Sequence, residues 1–111
     1  MEDTITTGID FMTKIQSGHY VLLKFTKKDG STRIMKATLN FDLIPKEKKP
    51  KEANSEKIMK DLEKNKILRI FDLEKIDWRT VPFEQVDWVQ TYDKDNKTIR
   101  YKVDTKKILK I

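Results

Sequence analysis

The chain has no cysteine, three glycines, three prolines and a single histidine in 111 residues. Without cysteine there is no disulfide, no thiolate zinc site and no cysteine nucleophile. His19 alone cannot supply the base and orienting partner of a triad or a metal-ligand set, and it reads as a surface residue where a strand begins. Gly8, Gly18 and Gly30 lie too far apart in sequence to form a phosphate-cradling loop. Asp93 and Asp95 start like a calcium loop, but the sixth and twelfth positions, which need Gly and Glu, are Thr98 and Asp104. No apolar run approaches the roughly 18 residues of a membrane span. The opening MEDTITTGID lacks the basic and apolar regions of a signal peptide. These absences lead us to expect a non-enzymatic chain with no catalytic residue, cofactor or metal, no membrane contact and a cytoplasmic location.

Charge is what the chain has in excess. Charged residues are 38% and hydrophobic residues 37%, with a formal net charge of +6. At this length one small domain over 1–111 is expected, with much of the chain solvated. The surplus of positive charge is uneven: +1 over 1–44, +3 over 45–66, −2 over 67–92 and +4 over 93–111. Such a field attracts polyanions or acidic proteins.

Hydrophobic periodicity predicts a short helix over 8–17, opened by Thr7 and Asp10 as a capping-box variant. Its apolar stripe is Ile9, Met12 and Ile15, and Gly18 falls at the C-cap position. Strands follow at 19–27 and 31–39. A two-residue Asp29-Gly30 turn would set Leu23 against Lys36. A three-residue loop, Lys28–Gly30, sets Leu23 against Met35 and Val21 against Ala37, with Gly30 as the left-handed residue. Residues 40–66 read as a flexible Lys-rich connection, with Pro45 and Pro50 bracketing a Lys/Glu run and about two turns of helix from Asn54 or Ser55. Further strands are expected at 67–73, 76–83, 87–92 and 98–104, with one helical turn at 83–86. A two- or four-residue loop would place Trp88 opposite Tyr101 and Val86 opposite Val103. Residues 87–111 thus form a C-terminal hairpin, with Lys106–Ile111 as a short strand or loose tail. Trp78 and Arg79 fall on opposite faces of one strand, Arg79 within reach of Asp72 or Asp77.

Several of these pieces carry a resemblance. They are Phe25–Gly30 (FTKKDG), Arg33, the Thr38–Leu39 pair, Ile70–Leu73 (IFDL), Asp77–Arg79 (DWR) and Phe83. In that order and spacing they resemble a family of small phage-encoded proteins, described as WYL-like with an Sm-like SH3-type β-barrel. The likeness covers roughly Met12–Val89. It implies a mainly β fold, a barrel of about five strands with a short helical turn before the last, and a phage origin. It implies no catalytic residue. Gln90–Ile111 is an addition to the pattern.

Small barrels bind single strands by stacking bases on exposed aromatics while Lys and Arg track the phosphates. The candidate nucleic-acid-binding residues are Trp88, Tyr92, Arg100, Tyr101, Lys102, Lys106 and Lys107, with Tyr20 and Lys110 beside them. Arg100 and Lys102 share a strand face. The alternative is a protein-interaction module that docks on a host transcription or defence factor by strand addition at an open edge. Oligomeric state is not specified by any of these features.

Overall fold

A computed structural model describes residues 3–17, 19–49 and 55–110. Gly18, Pro50, Asn54 and Ile111 lie outside the described residues, so the expected C-cap, the second bracketing proline and the end of the tail are not placed.

The described residues form one seven-stranded sheet with three α-helices, the mainly β fold expected from the sequence. The strands are β1 (Asp3–Ile5), β2 (Tyr20–Thr26), β3 (Thr32–Thr38), β4 (Ile67–Asp72), β5 (Asp77–Pro82), β6 (Val86–Tyr92) and β7 (Thr98–Val103). Their spatial order is β1-β7-β6-β2-β3-β4-β5. The helices are α1 (Gly8–Gln16), α2 (Ser55–Asn65) and α3 (Thr105–Leu109). A 3-10 turn at Phe83–Gln85 joins β5 to β6.

Alternation along β2 and β3 builds the core. Val21, Leu23, Met35 and Ala37 are fully buried, and the register pairs Val21 with Ala37 and Leu23 with Met35. The three-residue loop makes this possible. Lys27 N donates to Ser31 O at 2.7 Å, Gly30 N donates to Lys27 O at 3.0 Å, and Gly30 takes φ 87°. The Asp29 carboxylate accepts from the Ser31 hydroxyl and N–H, which hold it below the usual aspartate range.

Helix α1 closes the core from one side. Thr7 caps it by accepting from Asp10 N at 3.2 Å. The expected stripe is corrected by one position: Phe11, Met12 and Ile15 are buried and Ile9 is 75% exposed. Adjacent Phe11 and Met12 share a turn with Ile15 at i+4 and i+3, and Phe11 meets Phe83 edge to face at 5.1 Å. Gly8 lies against α2, where a Cβ would fall 2.8 Å from Cε at the movable end of Met59.

The connection over 40–66 carries structure over its described residues. Two 3-10 turns, Phe41–Leu43 and Lys46–Lys48, precede α2, which buries Ile58 and Leu62. Trp78 Nε1 donates to Lys48 O at 2.7 Å and its ring lies edge-on to Phe71 at 5.6 Å. The connection therefore roofs the outer side of β4–β5.

The C-terminal third differs from expectation in three ways. The β6–β7 register pairs Trp88 with Lys102 and Val89 with Tyr101, not Trp88 with Tyr101, and Val103 faces Ile5 of β1 rather than Val86. The cause is another three-residue loop: Asp93 N donates to Lys97 O at 3.1 Å, and Asn96 takes the left-handed φ of 60°. Next, Thr105–Leu109 is a helix, neither strand nor loose tail, because Asp104 accepts from Lys107 N and Thr105 and Ile108 turn inward. Finally, β1 adds to β7 in parallel, with Asp104 N donating to Ile5 O at 2.9 Å.

Candidate functional site

The inner face of the sheet packs the core side chains and helices, which leaves the outer face as the candidate contact surface. On the outer face, alternation and register bring four strands together: Tyr20, Leu22 and Lys24 of β2; Ile34 and Lys36 of β3; Trp88, Gln90 and Tyr92 of β6; and Arg100 and Lys102 of β7. These four strands hold one acidic residue, Asp87. Asp87, at the bulge where the β2–β6 register shifts, reaches in to lie 4.0 Å from Lys24 Nζ.

The aromatic and cationic groups are already engaged with one another. Arg100 Cζ sits 3.9 Å from the centroid of the Trp88 ring. Its Nε donates to Gln90 Oε1 at 3.1 Å, and Gln90 Nε2 donates to the Tyr92 hydroxyl at 2.6 Å. Tyr20 and Tyr92, directly opposite across β2 and β6, stack at 4.5 Å with planes 15° apart. That distance is close to the spacing between neighbouring strands, so the two rings stand on edge. Lys36 Nζ lies 4.5 Å from the Tyr20 centroid.

Of the seven residues expected at the site, Trp88, Tyr92, Arg100 and Lys102 are gathered here. Tyr101 is on the opposite face, half-buried against the core with Lys14 Nζ 5.0 Å from its ring. The Asp10 carboxylate bonds that amine at 2.7 Å and raises its affinity for the proton. Lys106 and Lys107 are exposed on α3, off the strand face. Lys24, Lys36 and Gln90 are the members that local pattern missed. Alternation alone turns Lys24 and Lys36 outward, but their place beside Trp88 depends on β2 pairing with the distant β6.

Asp72 marks a second concentration of charge, at the rim of the inner face. Its buried carboxylate accepts from Arg33 Nη2 at 2.8 Å and lies 3.8 Å from Arg79 Nε. It also accepts from Glu74 N and Lys75 N. Burial would raise its pKa, yet the two N–H donors and Arg33 together outweigh burial and hold it below the usual aspartate range. The cluster ties β3, the β4–β5 turn and β5 together. No group of three His, Cys, Asp or Glu side chains that could hold a metal occurs among the described residues.

A small barrel with a packed interior and one charged, open face has the build of a binding module. The family model described as WYL_2, Sm-like SH3 beta-barrel fold, matches residues 9–87, and the chain belongs to that family. A search of curated proteins found no match, and a search of solved structures found none. Trp88 through Lys102 lie beyond the family match, so the outer face joins strands of the family barrel to the added hairpin. No helix of the described residues is long and apolar enough to cross a membrane.

Proposed function

We propose that this is a non-enzymatic nucleic-acid-binding accessory factor, of phage origin as its family resemblance implies, and that the outer face of β7-β6-β2-β3 is the contact surface. The observation that carries this reading is the grouping of Lys24, Lys36, Arg100 and Lys102 on one face, from β2, β3 and β7, with Asp87 of β6 as the one acidic residue in the four strands of that face. Four strands at about 4.8 Å spacing span about 15 Å, room for a few nucleotides of one strand. Counterion release makes the affinity fall with salt, with a log–log slope of about −3 for four single-strand phosphate contacts.

A mobility-shift titration with single- and double-stranded probes at about 50 and 200 mM salt tests this. The parent protein is expected to retard the single strand at the lower salt. Arg100→Ala with Lys102→Ala is expected to weaken binding and to cut the salt slope by about 1.4. No shift with any probe at low salt would remove the reading. An unchanged slope in the double variant would place the contact elsewhere. Docking of a host protein by strand addition is less well served, because both sheet edges offer little free backbone, as argued below.

A further inference from the structure

Among the cations of the outer face, Arg100 is the most completely positioned. Its plane rests on the Trp88 ring at 3.9 Å. Its Nε is tied to Gln90 at 3.1 Å, and Gln90 is itself held by Tyr92 at 2.6 Å. Gln90 is also the residue directly across from Arg100 in the ladder, so the tie is built into the register. Stacking and the Nε bond fix the guanidinium in place and in rotation. The two Nη groups are left, and no other group of the described residues bonds them. A planar fork of free N–H donors held this way matches the two oxygens of a phosphate. Lys102, two residues along the same strand face, supplies a second positive charge at about 7 Å, as a repeating polyanion requires.

The aromatics point the same way. A base could stack on the side of Trp88 that Arg100 covers only by lifting the guanidinium off it, which breaks the Gln90 bond and the fork together. Tyr20 is stacked on Tyr92 and lies beneath Lys36. The rings therefore seat the cations.

We propose that Arg100 is a preset phosphate fork, that Gln90 and Tyr92 are its positioning residues, and that this face binds the phosphodiester chain of a single strand without stacking its bases. The inference rests on the nucleic-acid reading above and sharpens it: the ligand feature recognised is the backbone.

Fluorescence anisotropy on the full chain separates the possibilities. The probes are a labelled single strand of mixed sequence, an abasic strand of equal length and a duplex, each at about 50 and 200 mM salt. The abasic strand is expected to bind within about twofold of the base-bearing one, where stacked bases would give a far larger difference. Arg100→Lys keeps the charge but not the fork, and is expected to lose about fivefold or more with its salt slope unchanged. Gln90→Ala and Tyr92→Phe, far-UV circular dichroism unchanged, are expected to lose about two- to fivefold, again without a change of slope. A merely structural role for Gln90 or Tyr92 would lower the melting temperature and leave the affinity of the folded protein intact. If the abasic strand fails while the base-bearing strand binds, bases are being stacked and this inference falls alone. Arg100→Lys binding like the parent would also overturn it, leaving only diffuse charge. If neither strand binds at the lower salt, both this inference and the nucleic-acid reading fall. A duplex bound more tightly than the single strand would overturn the choice of a single strand.

Discussion

Asp72 illustrates how one residue can tie strands together. Its side chain is fully buried, and an unpaired charge there would be prohibitive. It survives because three donors bond it, two backbone N–H groups of the β4–β5 turn and Arg33 of β3, and Arg79 of β5 adds a second positive charge at 3.8 Å. The two backbone N–H groups and Arg33 hold its native pKa below the ordinary aspartate range against the effect of burial. The unfolded chain, with an ordinary value near about 4, therefore binds more protons as pH falls. The stabilisation is full above that unfolded value and drains away as pH drops through the depressed native one. Asp72→Asn is expected to cost about 3 kcal/mol near neutral pH in urea melts, since it leaves Arg33 and Arg79 without their anion. Its deficit relative to the parent should shrink as pH is lowered below about 4. A deficit independent of pH would mean that shape, and not charge, is what Asp72 supplies. The Arg79 partner was legible in the sequence because one strand turn separates it from Asp72. The Arg33 partner was not, because β3 meets β4 only after a long connection.

The β2–β3 and β6–β7 loops are built alike, and comparing them shows what the sequence could and could not reveal at the scale of elements. In each, three residues close the turn and the third is left-handed: Gly30 at φ 87° and Asn96 at φ 60°. In the first loop the apolar residues on both strands leave only one register that buries them, and Gly30 names the position that must be left-handed. In the second loop the strands carry fewer apolar residues, with Ile99 51% exposed, so burial does not choose among registers. Asn at the left-handed position is a weaker signal than Gly. Nothing lies within 4 Å of a Cβ built on Gly30, so Gly30→Ala pays for backbone conformation alone. It is expected to cost about 1 kcal/mol as a lower urea midpoint with an unchanged m-value. Asn96→Gly is expected to be tolerated, since both residues enter that region. A changed m-value in Gly30→Ala would mean that the register itself had slipped. The strand β1 and the helix α3 were illegible for a related reason. Each is short, and each is held by what it docks on: β1 by β7, α3 by an Asp104 cap and its two buried side chains.

At the scale of the molecule, the sheet is open at two edges, and the outer face is legible only once those edges are known. Arg100 and Lys102 could be paired from one strand's alternation, whereas Lys24, Lys36 and Gln90 join them through β2–β6 pairing that no local pattern encodes. The edges themselves are blunted. Phe83 N donates to Lys66 O, so by ladder alternation residues 77, 79 and 81 direct their backbone toward β4 while 78, 80 and 82 direct theirs outward. Of those three, Trp78 N is taken by Asp77 Oδ1 at 2.9 Å and Pro82 has no N–H. Thr80 is left as the outward donor on β5. At the other edge β1 offers three residues among those described. An incoming strand would thus gain few backbone bonds, which is how soluble sheets avoid edge-to-edge pairing. Asp77→Ala combined with Pro82→Thr would restore a row of three outward donors on β5. That variant is expected to self-associate as concentration rises in sedimentation velocity, while the parent shows no association through this edge. If the variant sediments like the parent over the same range, the edge is covered by something other than its backbone chemistry, and the connection that reaches Trp78 through Lys48 becomes the element to shorten next.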